Sequence, residues 1–173
     1  MIVRPVRITL STTFKMANNG GGSPFTPLSE YDDQEYEGDF SDISDSEPTV
    51  FVSEGVMTKT LGEIKISFDE SQIVGVPGAK TEFSFNEKKR HSMTMIRTGS
   101  MTTALVFDSK ERRNMCIYDV GPFPFEIMIH TDVLTNTVTF TGGGKIYAEY
   151  TLEIKGVQAE NSSITLKVEP LSK

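Results

Sequence analysis

Two opposite charges lie where the alternation of apolar residues predicts the protein interior. Glu70 continues one series of apolar residues at every second position, and Arg97 continues another. The apolar members of the two series are Ile64, Ile66, Phe68, Met93 and Met95. Successive side chains of a β-strand point to opposite faces, so Glu70 and Arg97 are both predicted to face the core.

Desolvation of such charges costs several kcal/mol per ion, so each one needs a partner. One interpretation is structural: Arg97 forms an ion pair with Glu70, or binds strand carbonyl groups at the end of the β-barrel that is predicted below. The other is functional: Arg97 binds the carboxylate or phosphate group of a ligand whose apolar part contacts Met93, Met95 and Leu105. The sequence favours the structural interpretation and leaves the functional one as a hypothesis.

Two further polar residues are candidates for the same site. Thr81 begins a predicted strand and supplies a hydroxyl group close to the two charges. Tyr118 is included as well, although both faces of its strand are apolar and its direction stays open. The predicted ligand-binding residues are therefore Arg97, Glu70, Tyr118 and Thr81.

The sequence contains no recognisable catalytic or metal-binding motif. His91, His130 and Cys116 do not have the spacing of a zinc site. Cys116 is predicted to be buried and unreactive, because no histidine or helix start lies nearby to lower its pKa. We therefore expect no metal, no other cofactor and no enzymatic activity. The remaining catalytic hypothesis is a hydrolase or isomerase that uses Glu70 as general base.

A glycine run at residues 141–145 has some features of a phosphate-binding loop. However, Ile146 stands where such a loop requires Ser or Thr, and the following residues alternate like a strand. The run is therefore predicted to be a hairpin turn. Nucleic-acid binding is not favoured, because the basic clusters at residues 88–90 and 112–113 lack an accompanying aromatic RNA-binding motif.

Composition limits the broad class of the protein. The chain has 173 residues, a usual size for one domain, and a formal net charge of −7. Its single cysteine cannot form an internal disulfide, which is typical of a reducing, cytoplasmic compartment. No apolar run approaches the roughly 18 residues of a membrane span. Arg4, Pro5 and Arg7 interrupt the first ten residues, so no secretory signal is expected.

The negative charge is concentrated in residues 17–48. This segment holds nine acidic and no basic residues, and outside it 15 acidic residues stand against 17 basic ones. Such a composition cannot bury enough apolar surface to offset the entropy of ordering, so we predict a disordered insertion within a single domain of residues 1–173. Its spaced aromatic residues suggest an alternative function, in which this acidic segment docks on a basic protein partner.

Outside the acidic segment, apolar residues recur with a period of two, which predicts strands. Eleven strands are predicted, with approximate bounds 3–15, 49–58, 63–68, 81–87, 92–97, 101–108, 114–120, 123–131, 133–141, 145–155 and 162–169. Many short strands linked by turns predict an all-β, antiparallel up-and-down barrel, because closure removes exposed sheet edges. The acidic segment then connects the first strand to the second.

Five short motifs follow one another over most of the chain. They are Phe68-Asp69-Glu70-Ser71, the glycine-containing turn of residues 75–81, Arg97-Thr98-Gly99 followed by Met101, Tyr118 with Gly121, and Gly142-Gly143-Gly144-Lys145-Ile146 followed by Tyr150. In order and spacing they resemble the YwiB-like family of small bacterial proteins of unknown function. That resemblance implies a calycin-like, lipocalin-type barrel with room for a small ligand, and it implies no known chemistry.

The sequence thus predicts a non-catalytic binding protein with a calycin-like barrel. Its expected ligand is a small amphipathic or anionic molecule in the barrel interior, held by the candidate residues above. The alternative is a protein interaction module in which residues 17–48 bind a basic partner and the barrel is a scaffold.

Overall fold

The computed structural model describes residues 1–16, 47–70, 78–99, 102–119, 124–154 and 157–171. Within these ranges the chain forms ten strands and no helix, and so no helix long and apolar enough to cross a membrane. The strands are β1 (Ile2–Met16), β2 (Thr49–Thr60), β3 (Glu63–Asp69), β4 (Lys80–Asn86), β5 (Lys89–Thr98), β6 (Thr102–Asp108), β7 (Arg113–Asp119), β8 (Pro124–Asn136), β9 (Gly144–Ile154) and β10 (Val157–Pro170).

The strands close into a single barrel. Each strand from β2 to β9 pairs antiparallel with the next one along the chain, and β1 completes the ring by pairing with both β2 and β10. The predicted antiparallel up-and-down barrel is confirmed, and so is the prediction that the chain begins with a strand of that barrel. Because the ring is closed, all ten strands have a neighbour on both sides.

Alternation along each strand determines what lines the interior. On β3, Ile64, Ile66 and Phe68 are buried, whereas Lys65 and Ser67 between them are partly exposed. Every strand contributes at least one buried apolar side chain, so the core lies inside the ring and includes Val6, Met57, Phe83, Met93, Phe107, Cys116, Ile129, Ile146 and Leu166. The period-two pattern in the sequence is therefore the pattern of inward and outward side chains.

One predicted pair of strands is wrong. The segments 123–131 and 133–141 belong largely to a single strand, β8, whose pairing with β9 shifts register between Thr131 and Val133. The extra residue, Asp132, reverses the alternation: buried positions are odd-numbered up to Thr131 and even-numbered from Asn136 onward. This reversal looks like a strand boundary in the sequence, although the strand continues through it.

The glycine run forms the turn that was predicted for it. A bridge between Thr139 and Gly143 closes this turn after β8 and leads into β9. Gly143 has a φ of 68°, and a Cβ atom there would lie 2.1 Å from the carbonyl oxygen of Val168. Only glycine fits this position without displacing the β10 backbone.

The acidic segment of residues 17–48 follows β1, as predicted. Of this segment only Glu47 and Pro48 are among the described residues, and both are exposed. The prediction that residues 17–46 are disordered lies outside the described residues.

Candidate functional site

Glu70 faces the barrel interior just beyond the end of β3. Its backbone N–H donates to the carbonyl oxygen of Ala79 at 2.8 Å, which extends the pairing of β3 with β4 by one step. The alternation of β3 therefore continues to Glu70, and the side chain is only 2% exposed. The predicted inward direction of this carboxylate is confirmed.

Arg97 on β5 reaches the same carboxylate. Its Nη2 donates to Oε1 of Glu70 at 3.3 Å, and its Nε lies 2.8 Å from Oε2 without the alignment of a hydrogen bond. Nε also donates to the hydroxyl oxygen of Thr81 at 3.4 Å, and Thr81 is the residue of β4 directly paired with Arg97. The structural interpretation, an ion pair between Glu70 and Arg97, is confirmed.

The two charges have very different exposure. The Arg97 side chain is 41% exposed, whereas that of Glu70 is 2% exposed. Among the described residues, Nη1 of Arg97 donates to no protein atom in this cluster, since the contacts to Glu70 and Thr81 use Nε and Nη2. Glu70 therefore fixes one edge of the guanidinium and leaves part of the group available to another acceptor.

Tyr118, the fourth predicted site residue, lies on the same cross-strand row as Arg97. Arg97 pairs with Thr103 of β6, and Thr103 pairs with Tyr118 of β7. The side chain of Tyr118 lies outside the described residues. The structure thus brings Glu70, Arg97 and Thr81 together, and for Tyr118 it gives the backbone position alone.

A cavity of about 230 Å³ opens beside Arg97 at this end of the barrel. Its apolar lining consists of Leu10, Phe14, Met95, Leu105, Ile127, Leu152 and Ile164. Its polar lining consists of Thr12, Thr13, Arg97, Thr103, Tyr150, Glu160, Ser162 and Ser163. Met95 and Leu105 were predicted to contact a ligand and do line this cavity, whereas Met93 is buried in the core and does not line it.

Tyr150, Ser162 and Glu160 form a second polar group in this cavity. Burial raises the pKa of Tyr150 to about 12, an effect that the Ser162 hydroxyl and the Arg97 charge oppose and the Glu160 charge reinforces. The Ser162 hydroxyl donates to Oε1 of Glu160. The Tyr150 ring packs edge-on against Phe107 with ring centres 5.0 Å apart. The site therefore has polar groups on more than one wall.

Sequence reasoning missed this second group. Tyr150 continues the every-second-residue series of Ile146 and Ala148 but is not among the predicted ligand-binding residues. Glu160 lies outside the predicted strands, since the last of them begins at residue 162. Extending the alternation of Ile164, Leu166 and Val168 backwards by two steps gives Ser162 and Glu160, and this signal would have found both.

The histidines and the cysteine lie apart from the cavity lining. Cys116 is buried, as predicted; burial raises the pKa of its thiol, while an N–H from Val106 at 3.3 Å lowers it. Nδ1 of His130 lies 3.0 Å from a carboxylate oxygen of Asp132 in a partly exposed pair. Within the described parts of the chain, no group of three or more His, Cys, Asp or Glu side chains could hold a metal ion.

Comparison with known proteins identifies the family. Residues 35–166 match a domain of unknown function, DUF1934. The chain belongs to the DUF1934 family. Its fold is similar to that of the YwiB protein from Bacillus subtilis, whose crystal structure matches with a TM-score of 0.64 over 95% of this chain and 92% of that one, at 13% identity. No curated protein sequence matches the chain.

These findings confirm the YwiB-like resemblance and the calycin-like barrel predicted from the sequence. The similarity to YwiB shows the fold alone, because so few residues are identical. A domain of unknown function brings no named activity to this DUF1934 protein. Any function must therefore be argued from the cavity and its side chains.

Proposed function

We propose that this DUF1934 protein binds a small amphipathic molecule in the cavity beside Arg97 and does not transform it chemically. The observation that supports the proposal is the cavity itself, with Arg97 at its surface and apolar side chains from several strands in its lining. An apolar cavity of about 150 Å³ holds a benzene molecule. A cavity of about 230 Å³ therefore has room for an aromatic ring or branched aliphatic group and part of a polar head.

The contacts of Arg97 support its role as the group that orients the ligand. Glu70 and Thr81 hold the guanidinium from one side, so little side-chain entropy remains to be lost when a ligand binds. A guanidinium with a free edge suits a carboxylate, a phosphate or another oxygen acceptor. The apolar part of the molecule would contact Met95 and Leu105 on the neighbouring wall.

The position of Glu70 disfavours the catalytic hypothesis. A general base must come within hydrogen-bonding distance of the proton that it removes. Glu70 is 2% exposed, is paired with Arg97, and is not part of the cavity lining. If Glu70 were a general base, Glu70→Gln and Glu70→Met would each abolish the activity. Activity that persisted in these variants would exclude this role.

Methionine-methyl NMR tests whether the cavity accepts a ligand. Met95 lines the cavity, whereas Met115 on β7 is 64% exposed and does not line it. We expect the neutral amphipathic probe 2-phenylethanol to shift the Met95 methyl resonance in a saturable way and to leave that of Met115 in place. Equal small shifts of both resonances, or no shift of Met95, would contradict the proposal.

The contribution of Arg97 needs a variant that avoids an unpaired buried carboxylate. Replacing both members of a buried ion pair by apolar residues is often neutral for stability. The Glu70→Met/Arg97→Met double variant should fold, keep its affinity for 2-phenylethanol within a few-fold, and lose affinity for 3-phenylpropanoate. Unchanged affinity for 3-phenylpropanoate in a folded variant that lacks Arg97 would remove Arg97 from the site.

The acidic segment supports a second candidate function, a docking role toward a basic protein. Its support is the charge distribution: nine acidic and no basic residues fall in residues 17–48. Deleting residues 17–48 distinguishes the two functions. Binding of the small probe should survive the deletion, whereas capture of a basic partner should be lost in the deleted chain and weakened by salt in the intact one.

A further inference from the structure

Arg97 and Glu160 face the same cavity from opposite sides of the barrel. Arg97 lies on β5 and Glu160 on β10, and both line the cavity. In the ring of ten strands, β5 and β10 are five places apart in either direction. Tyr150 lines the same cavity, and the two charges shift the pKa of its hydroxyl in opposite directions, Glu160 upward and Arg97 downward.

The two opposite charges do not form an ion pair with each other. Arg97 pairs with Glu70, and Glu160 accepts a hydrogen bond from the neutral Ser162 hydroxyl. No ion pair between Arg97 and Glu160 is present, although both side chains are described. The cavity thus separates a cation from an anion that could otherwise attract each other directly.

Charge balance in the cavity disfavours a purely anionic ligand. The positive charge of Arg97 is already matched by the buried carboxylate of Glu70, while Glu160 has no basic partner among the described residues. A simple carboxylate that approached Arg97 would gain one favourable interaction and would be repelled by Glu160 across the cavity. A positive group next to Glu160 would replace that repulsion by attraction.

From this arrangement we infer that the ligand has a zwitterionic head, with an anionic oxygen group bound to Arg97 and an ammonium group bound to Glu160, joined to a compact apolar group. A small apolar α-amino acid is an example of this chemical class. The hydroxyl group of Ser162 donates to Glu160, that of Tyr150 lines the same cavity, and both add neutral hydrogen-bonding positions. The inference rests on the proposed binding function and specifies the head group that the cavity selects.

Calorimetric titration with three matched probes tests the inference. Phenylalanine carries both charges, 3-phenylpropanoate carries only the carboxylate, and 2-phenylethylamine carries only the ammonium. Because a hydrogen bond to a charged group changes affinity by about ten- to a hundredfold, phenylalanine should bind at least about tenfold tighter than either analogue. Equal or tighter binding of 3-phenylpropanoate or of 2-phenylethylamine would overturn the inference.

A charge-neutralising variant gives the second arm of the test. Glu160→Gln keeps the size of the side chain and an acceptor for Ser162 but removes the negative charge. This variant should bind phenylalanine about tenfold or more weakly than the parent and should bind 3-phenylpropanoate with equal or higher affinity. Glu169→Gln is the matched control, because Glu169 lies on the same strand but on its exposed outer face; it should change neither affinity.

The two proposals fail in different ways. The first case is that 2-phenylethanol shifts the Met95 methyl resonance, but phenylalanine binds no tighter than its analogues or Glu160→Gln leaves phenylalanine affinity unchanged. The cavity is then a ligand site with a different head-group preference. The second case is that neither the neutral probe nor any charged probe shifts the Met95 methyl resonance. The proposed binding function is then wrong.

Discussion

The ion pair of Glu70 and Arg97 makes an asymmetric prediction about stability. The two side chains contact each other, but the carboxylate is 2% exposed and the guanidinium side chain 41% exposed. Removing Arg97 leaves a charge that water does not reach, whereas removing Glu70 leaves a charge that water already reaches. The two single substitutions should therefore have unequal costs, although they break the same interaction.

The expected magnitudes follow from this difference in exposure. Breaking a buried pair from the side that leaves a buried charge costs about 3–5 kcal/mol, and the partial exposure of Arg97 places Arg97→Met at the lower end, about 3 kcal/mol. Glu70→Gln keeps the shape of the side chain and leaves a hydrated guanidinium, for a cost of about 1 kcal/mol. Glu70→Met/Arg97→Met should lie within about 1 kcal/mol of the parent protein.

Urea denaturation of the parent and the three variants, followed by far-ultraviolet circular dichroism, measures these free energies of unfolding. The double variant should be more stable than Arg97→Met alone, which gives a coupling free energy between the two positions. A cost below about 1 kcal/mol for Arg97→Met, or an equal cost for Glu70→Gln, would refute the argument that burial of the carboxylate determines the energetics.

Three further predictions concern groups outside this pair. The pKa of Tyr150 is raised from 10 to about 12 in the folded protein, so the stability that its neutral form contributes is complete below pH 10 and is lost between pH 10 and 12. In urea denaturation at several pH values, Tyr150→Phe should lose about 2 kcal/mol less stability than the parent over this range. The same alkaline loss in both proteins would contradict the raised pKa. Gly143→Ala should lower the free energy of unfolding by more than about 2 kcal/mol, because it combines a positive φ with a backbone clash. Gly78→Ala, with φ of 76° and open space for a Cβ atom, should lower it by about 1 kcal/mol. Equal decreases in melting temperature in the two variants would be evidence against the clash. The buried thiol of Cys116, whose pKa is raised by burial, should react with Ellman's reagent only as fast as the barrel opens and immediately in urea, and rapid labelling of the native protein would contradict its burial.

Much of the fold follows from the sequence because a barrel wall repeats one local rule. Inward and outward side chains alternate, so the apolar series of β3 and β5 predicted which way Glu70 and Arg97 point. The exceptions are places where the alternation is interrupted. The register shift beside Asp132 in β8 produced a false strand boundary, since one extra residue exchanges the two faces.

The site was less predictable because it depends on which strands face each other across the barrel. Glu70, Thr81 and Arg97 lie on or next to consecutive strands, so their proximity could be expected from hairpin order. Glu160 lies on the opposite wall, and its strand begins with a second register shift, between Gln158 and Glu160. Residues 160–163 are all polar, so no apolar alternation marks this part of β10 in the sequence. The sequence therefore indicated the arginine side of the cavity and missed the carboxylate side.

Native mass spectrometry of the protein purified from cells shows whether a small molecule occupies the cavity beside Arg97. We expect a species heavier than the 19.2 kDa chain, whose extra mass disappears on collisional activation and is absent from the Glu70→Met/Arg97→Met variant. A bare-chain mass alone, or an adduct that the folded double variant retains equally, would contradict the proposed binding function.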